Sequence, residues 1–276
     1  MLTDYHVHLR PDDPGTDAAL YFTAANADRY REVAADRGVA ELGVSEHVHR
    51  FTAALDVWQH PFWRANARDD LDAYVSFVRE ETELRLGIEA DFVAGREDRM
   101  ANLLDAHEWD YVIGSVHFLG DHAVDFDDET DVWRHESSPE RVWKRYFEAL
   151  RAAALTGAYD IMAHPDLVKV WGSGRPAPSK DPRFFYEPAV EAMLDAGVAI
   201  EVSTAGLRKP VGELYPARAM LEMAVDAGLP VALSSDAHRP EQVAFAYDAA
   251  VEVLRDCGVK EIAVFSRRER RMEPLG

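Results

Sequence analysis

Five segments of the chain share one rhythm: an amphipathic helical stretch, a glycine, then a short apolar run closing on polar residues. They read YREVAADRG-VAELGVSEH, YFEALRAAALTG-AYDIMAHP, VEAMLDAG-VAIEVST, LEMAVDAG-LPVALSSDAH and VEVLRDCG-VKEIAVFS. Gly38, Gly157, Gly197, Gly228 and Gly258 fall where a left-handed cap ends a helix. LRLGIEA and DYVIGSVH supply two more strands, after helical patterns near 69–81 and 97–107. A helix from Pro139 to Thr156 has Ser138 as N-cap and proline at its first position.

With the opening run, apolar segments fall at 2–7, 40–45, 84–89, 110–116, 159–163, 198–203, 229–234 and 260–265. Seven or eight strands alternating with helices predict a parallel sheet closed into a barrel or a distorted relative of one. The whole of residues 1–276 is expected to form one α/β domain. Stretches 50–68, 118–138 and 165–187 each follow a strand, which puts them on the face where barrels build active sites. Trp58, Phe62, Trp63 and Trp171 in these stretches form either a pocket rim or packing beneath a loop.

Composition adds few constraints. A hydrophobic share of 47% supports a large core, and the net charge of −20 argues against gripping a nucleic-acid polymer. A phosphorylated metabolite stays open, because bound metals and a few local cations invert the field within a cleft. Cys257 is the one cysteine, so neither an intramolecular disulfide nor a cysteine-rich zinc site is expected. With no signal-like or membrane-length apolar run, the expectation is a cytoplasmic monomer or homodimer away from membranes.

The strand ends carry the chemistry. They offer His6 and His8, then Glu46 and His47, Glu89, His117, His164, and finally Asp236 and His238. Composition predicts about 0.4 His-x-His pairs by chance, so the opening pair alone is weak evidence. His117 or His164 alone would read as a buried, hydrogen-bonded histidine. Glu89 closes an apolar strand, which is costly unless the carboxylate is paired or bound to metal. In a parallel barrel all of these ends meet at one mouth, so a metal centre is expected. Imidazole and carboxylate without thiolate suit Zn, Mn or Fe. The set exceeds the needs of one ion, and polynuclear centres of this kind do hydrolysis. His49, His60, His107, His122 and His135 lie away from strand ends and are unassigned.

In order, HVH, SEH, GIEADF, GSVHF, AHPD and SSDAH resemble the successive motifs of the polymerase-and-histidinol-phosphatase (PHP) family. STAGLRKPVGELYP and AHPDLVKVWG resemble its stand-alone histidinol-phosphatase branch. The resemblance implies a distorted (β/α)7 TIM-like barrel and two to three divalent ions. It places the first ion with His6, His8, Glu89 and Asp236, and the second with the bridging Glu89, His117 and His164. A third would take His47, His238 and a residue of the loop after strand one. Many members have a histidine in that loop where this chain has Pro14, so Asp12 or Asp13 takes its place, with spacing favouring Asp13.

The implied activity is hydrolysis of L-histidinol phosphate, a phosphomonoester of histidine biosynthesis, by a hydroxide generated between two metals. Glu89, Asp236 and His238 are the catalytic candidates, with His238 or a metal-bound water delivering the leaving-group proton. Arg10, Lys169, Arg208 and Lys209 follow strands and are candidates for holding the phosphate. A nucleotide phosphoesterase or phosphodiesterase of the same family is the main alternative, and an inactive metal-binding regulator is a second. Asp125-Phe-Asp127 lacks the apolar strand of an aspartyl-phosphate phosphatase, and strand four ends in His117 where an amidohydrolase bears a carboxylated lysine.

Overall fold

A computed structural model of the chain describes residues 1–13 and 15–276; Pro14 lies outside the described residues. The strands are β1 (Thr3–Asp4), β2 (Glu41–His47), β3 (Arg85–Asp91), β4 (Tyr111–Ser115), β5 (Phe118–Leu119), β6 (His122–Ala123), β7 (Ile161–Met162), β8 (Ala199–Ser203), β9 (Val231–Ser234), β10 (Glu261–Ser266) and β11 (Glu269–Pro274). The helices are α1 (Ala24–Asp36), α2 (Pro61–Asn66), α3 (Leu71–Glu81), α4 (Glu97–Leu104), α5 (Val132–His135), α6 (Pro139–Leu155), α7 (Arg183–Ala196), α8 (Arg218–Ala227) and α9 (Tyr247–Asp256).

Seven strands form one parallel sheet in the order β1-β2-β3-β4-β7-β8-β9. The sheet almost closes: Val7 bridges Ala237, His8 N donates to Ala237 O at 2.7 Å, and Ala237 N donates to His6 O at 3.1 Å. The result is the distorted seven-stranded TIM-like barrel that the strand pattern and the family resemblance predict. Strands buried on both sides read as continuous apolar runs, which is why β3, β4 and β8 stood out in the sequence.

The eighth apolar segment does not join the barrel. It forms β10, pairs antiparallel with β11, and packs beneath the sheet. There Phe265 and Ala263 share a cluster with Tyr5 and with Tyr111, Ile161 and Ala199, residues that begin their strands, so this hairpin closes the barrel's N-terminal end. The Tyr111 ring lies flat across β2 and β3, where a Cβ on Gly43 or Gly87 would sit 2.3 Å from it. That close approach requires glycine at both places.

Helix boundaries follow the local chemistry. Ser138 Oγ accepts from Arg141 N at 3.4 Å at the start of α6, and the helix buries Val142, Trp143, Tyr146, Phe147 and Leu150. All five predicted cap glycines have positive φ. Two expectations shift: α7 begins inside the stretch read as loop, at Arg183, and α4 stops at Leu104. Trp58 and Trp63 are buried packing residues, whereas Phe62 stays part-exposed and lines a cavity. Among the described residues, no helix is long and apolar enough to cross a membrane.

Candidate metal centre

Every strand-end residue except Glu46 turns into the barrel mouth. Glu89, near the end of β3, is 1% exposed, and its two oxygens face different neighbours. Oε2 lies 3.2 Å from His6 Nε2, 3.6 Å from His8 Nε2 and 2.5 Å from His47 Nδ1. Oε1 lies 3.5 Å from His117 Nε2 and 3.3 Å from His164 Nε2. Asp236 Oδ1 adds distances of 3.7 Å to His6, 3.5 Å to His8 and 3.5 Å to His238.

Three groups gather donor atoms within 4.8 Å of one another: His6, His8 and Asp236; His6, Glu89 and His164; His8, His47 and His238. His6 Nε2, His8 Nε2, Glu89 Oε2 and Asp236 Oδ1 are buried and make no hydrogen bond. His47 Nε2 faces His238 Nε2 at 3.4 Å, and the rings of His8 and His47 stack at 4.1 Å. Converging lone pairs without protein donors fit divalent cations, because buried polar atoms are otherwise nearly always paired. Two of the residues also hold positive φ, His164 at 24° and Asp236 at 51°, a backbone strain of the sort that collects at functional sites.

The charge states of the metal-free cluster are split by their surroundings. Burial pushes His6 down, but Glu201, Glu89 and Asp236 outweigh it and hold the ring well above the imidazole range. His8 is held well below that range by burial, with His47 and His238 adding repulsion. Burial also takes His47 down to about 4. His117 resists burial and is raised to about 10 by Asp91 and Glu89. Despite their own burial, Glu89 and Asp236 sit well below the carboxylate range, with His47 foremost beside the first and His6 beside the second.

Beneath the donors lies a layer of orienting carboxylates. Glu201 Oε1 is 2.8 Å from His6 Nδ1, while its Oε2 accepts from His164 N at 2.6 Å. Asp91 Oδ1 is 2.7 Å from His117 Nδ1. Such carboxylate–imidazole pairs fix the ring's orientation and strengthen its other nitrogen as a donor. Both were absent from the sequence reading. Their signal was the one used for Glu89, an acidic side chain inside an apolar strand, in VAIEVST and GIEADF.

Several expected roles change. Asp12, rather than the favoured Asp13, reaches the cluster, with Oδ2 2.9 Å from His238 Nε2 and Oδ1 3.8 Å from His47 Nε2. The loop turns Asp13 outward to pair with Arg239 at 3.1 Å. Buried Arg50 clamps Asp12 and also pairs with Glu46. Glu46 accepts from Leu9 N and Arg10 N, so it organises the loop and points away from the donors.

Lys169 is consumed internally, 2.9 Å from Asp166, 3.1 Å from Glu213 and donating to Leu214 O at 2.9 Å, which uses all three of its protons. Arg10 pairs with Asp69 and lines the aromatic side of the mouth, not the phosphate side. Arg208 and Lys209 do border the cluster, in a cavity of about 260 Å³ that they share with Asp236 and His238. Arg239 completes that cationic flank and was missed because its loop gave no periodic cue. On the opposite flank, a cavity of about 470 Å³ is lined by Phe62, Phe118 and Phe126. His49, unassigned from sequence, lines it too, stacked on His47 at 4.8 Å.

Residues 4–205 match the family model described as the PHP domain. A Deinococcus radiodurans protein named "Probable histidinol-phosphatase" is 33% identical over 252 residues, covering 89% of this chain and 91% of the relative. The Bacillus subtilis protein named "Histidinol-phosphatase" is 27% identical, with 90% and 98% covered. The fold matches the crystal structure of a histidinol phosphate phosphatase from Lactococcus lactis subsp. lactis complexed with Zn, L-histidinol and phosphate. That match has a TM-score of 0.71 and 18% identity, and covers 98% of each chain. By its sequence, this chain belongs to the PHP domain family.

Proposed function

We propose that this chain is a metal-dependent phosphomonoesterase that hydrolyses L-histidinol phosphate to L-histidinol and inorganic phosphate. The observation that carries the reading is Glu89, whose two oxygens face two separate sets of imidazoles beside a cleft with a cationic flank and an aromatic one. Relatives that bear the histidinol-phosphatase name over nearly the whole chain length support the substrate.

In this reading two to three divalent ions, of Zn, Mn or Fe, are held by His6, His8, Asp12, His47, Glu89, His117, His164, Asp236 and His238. Ions so held lower the pKa of water and screen phosphoryl charge. The chain's own residues do the rest. Glu89 and Asp236 concentrate negative charge where cations must sit, and Glu201 and Asp91 keep His6 and His117 aimed at that point. Arg208 and Lys209 attract the phosphate dianion to its flank. His238, the most exposed imidazole of the cluster, borders that flank 3.5 Å from Asp236 and would deliver the leaving-group proton there. The phenylalanine flank takes the imidazole ring and excludes water from it. Residues 1–276 act as one catalytic domain, in the cytoplasm, as a monomer or homodimer, on a small molecule and not on a nucleic-acid polymer.

The test is phosphate release by enzyme reconstituted separately with Mn, Zn and Fe. Substrates are L-histidinol phosphate, other phosphomonoesters including a nucleoside monophosphate, and a cyclic nucleotide. Preference for L-histidinol phosphate, abolished by a chelator, is the expected result. Metal-dependent turnover of the nucleotides with none of L-histidinol phosphate would overturn the substrate and leave the chemistry.

A further inference from the structure

Two cavities meet at the metal cluster. One, of about 470 Å³, holds the phenylalanines; the other, of about 190 Å³, holds Glu89, His164 and Asp236. Four residues line both: Asp12, His47, His117 and Asp125. The first three belong to the donor cluster. Asp125 lies outside the three tightest donor groups, as Asp12 and His117 do, but unlike those two it makes no ion-pair contact with a donor residue among the described residues.

Asp125 is also unmatched. Its Oδ1 is buried without a hydrogen-bond partner. Two residues along the chain, Asp127 is neutralised by Arg175 at 2.8 Å and Arg134 at 3.1 Å. Among the described residues Asp125 pairs with no lysine or arginine, although its charge helps to raise the neighbouring His117. A carboxylate oxygen withdrawn from water without a partner is destabilising unless a ligand completes it, and its complement is a cationic donor.

We propose that Asp125 recognises the ammonium group of the substrate and sets the enzyme's preference for amine-bearing phosphomonoesters. The inference rests on the L-histidinol phosphate reading above and extends it. In that molecule the amine-bearing carbon lies between the imidazole ring and the ester carbon. With the ring among the phenylalanines and the phosphate at the ions, the amine falls at the boundary of the two cavities, where Asp125 stands. A charge-assisted hydrogen bond there discriminates against an ester without the amine, because the carboxylate would again lack a partner.

The experiment compares wild type, Asp125→Asn and Asp125→Glu on two esters, L-histidinol phosphate and 3-(imidazol-4-yl)propyl phosphate, which differ only in the amine. The readout is the ratio of their kcat/KM values. Wild type should favour the amine, and Asp125→Asn should lower the ratio by about 10- to 100-fold, mostly through KM for L-histidinol phosphate. Asp125→Glu, which keeps the charge, should retain more of the ratio than Asp125→Asn. Equal losses on both esters, or loss of bound metal in Asp125→Asn, would overturn the proposal in favour of a role in chemistry or in metal binding. Competition between L-histidinol and 3-(imidazol-4-yl)propanol against wild type reads the same preference without any variant, and equal inhibition by the two would also overturn it. If wild type hydrolyses neither imidazole ester but cleaves a nucleoside monophosphate, the functional reading fails and Asp125 with it. If wild type cleaves L-histidinol phosphate with no more preference for the amine than Asp125→Asn, the assignment of Asp125 alone fails.

Discussion

Glu201 Oε1 lies 2.8 Å from His6 Nδ1 at the floor of the cleft, and both side chains are almost wholly buried. The same carboxylate accepts from Ser234 Oγ at 2.5 Å and from His164 N. It therefore sets the orientation of one candidate ligand and the backbone of another.

Replacing Glu201 with glutamine keeps the volume and removes the charge that makes His6 a strong donor. The expected outcome is a drop in metal affinity of about 10- to 100-fold, as is usual for outer partners of metal-bound histidines. Titration against a competing chelator measures it. An unchanged affinity would mean that His6 does not bind metal through its other nitrogen.

Asp12 and Asp13 are neighbours with opposite expectations. Asp12→Ala should lower the metal content per chain and should impair hydrolysis, because its carboxylate stands 2.9 Å from His238. Asp13→Ala removes an exposed pair with Arg239, worth about 0–1 kcal/mol, and should leave metal content as it is. Elemental analysis of the two purified variants separates them.

Metal loading should release protons. Without metal, His117 is raised to about 10 and His6 stands well above the imidazole range, so both carry protons at neutral pH. Ligation requires their neutral forms, so apparent affinity should weaken as pH falls. Calorimetry in buffers of different ionisation enthalpy counts the protons. A buffer-independent heat would contradict the protonated state of the empty cluster.

Asp4 gives stability a slope of the opposite kind to a paired carboxylate. Burial raises it to about 6, against donations from Ser235 and Ala244 that lower it. Between its unfolded value of 3.8 and about 6, the folded chain holds the proton more tightly than the unfolded one. Stability from this group is thus lost as pH rises through that window. Asp4→Asn has no such proton, so the stability of metal-free wild type relative to the variant should fall by about 2 kcal/mol between pH 4 and pH 6. Urea melts across that range provide the comparison.

The barrel and its donor residues were legible because strand ends are marked twice, by the close of an apolar run and by a change to histidine or carboxylate. His6, Glu89, His117 and His164 all carry that double mark. Lys169 did not reveal its occupation: Asp166 stands only three residues before it, but Glu213 and Leu214 O, which take its other two protons, meet it through tertiary folding. The choice between Asp12 and Asp13 turned on which way an aperiodic loop faces, a matter decided by Arg50 from a different strand's end. The segment at 260–265 looked like an eighth barrel strand because a plugging strand and a barrel strand are equally apolar. Glu201 and Asp91 went unnoticed although they obey the rule that flagged Glu89.

The hairpin beneath the barrel, with Phe265 set among the strand starts, gives the reacting centre a blind floor. Among the described residues, the cavities that reach the donors open at the opposite end, at the mouth. Ester must enter, and both alcohol and phosphate must leave, past the same rim of phenylalanines and cations. Spent phosphate lingering at the threshold would obstruct the next arrival, so added inorganic phosphate is expected to slow turnover in competition with the ester.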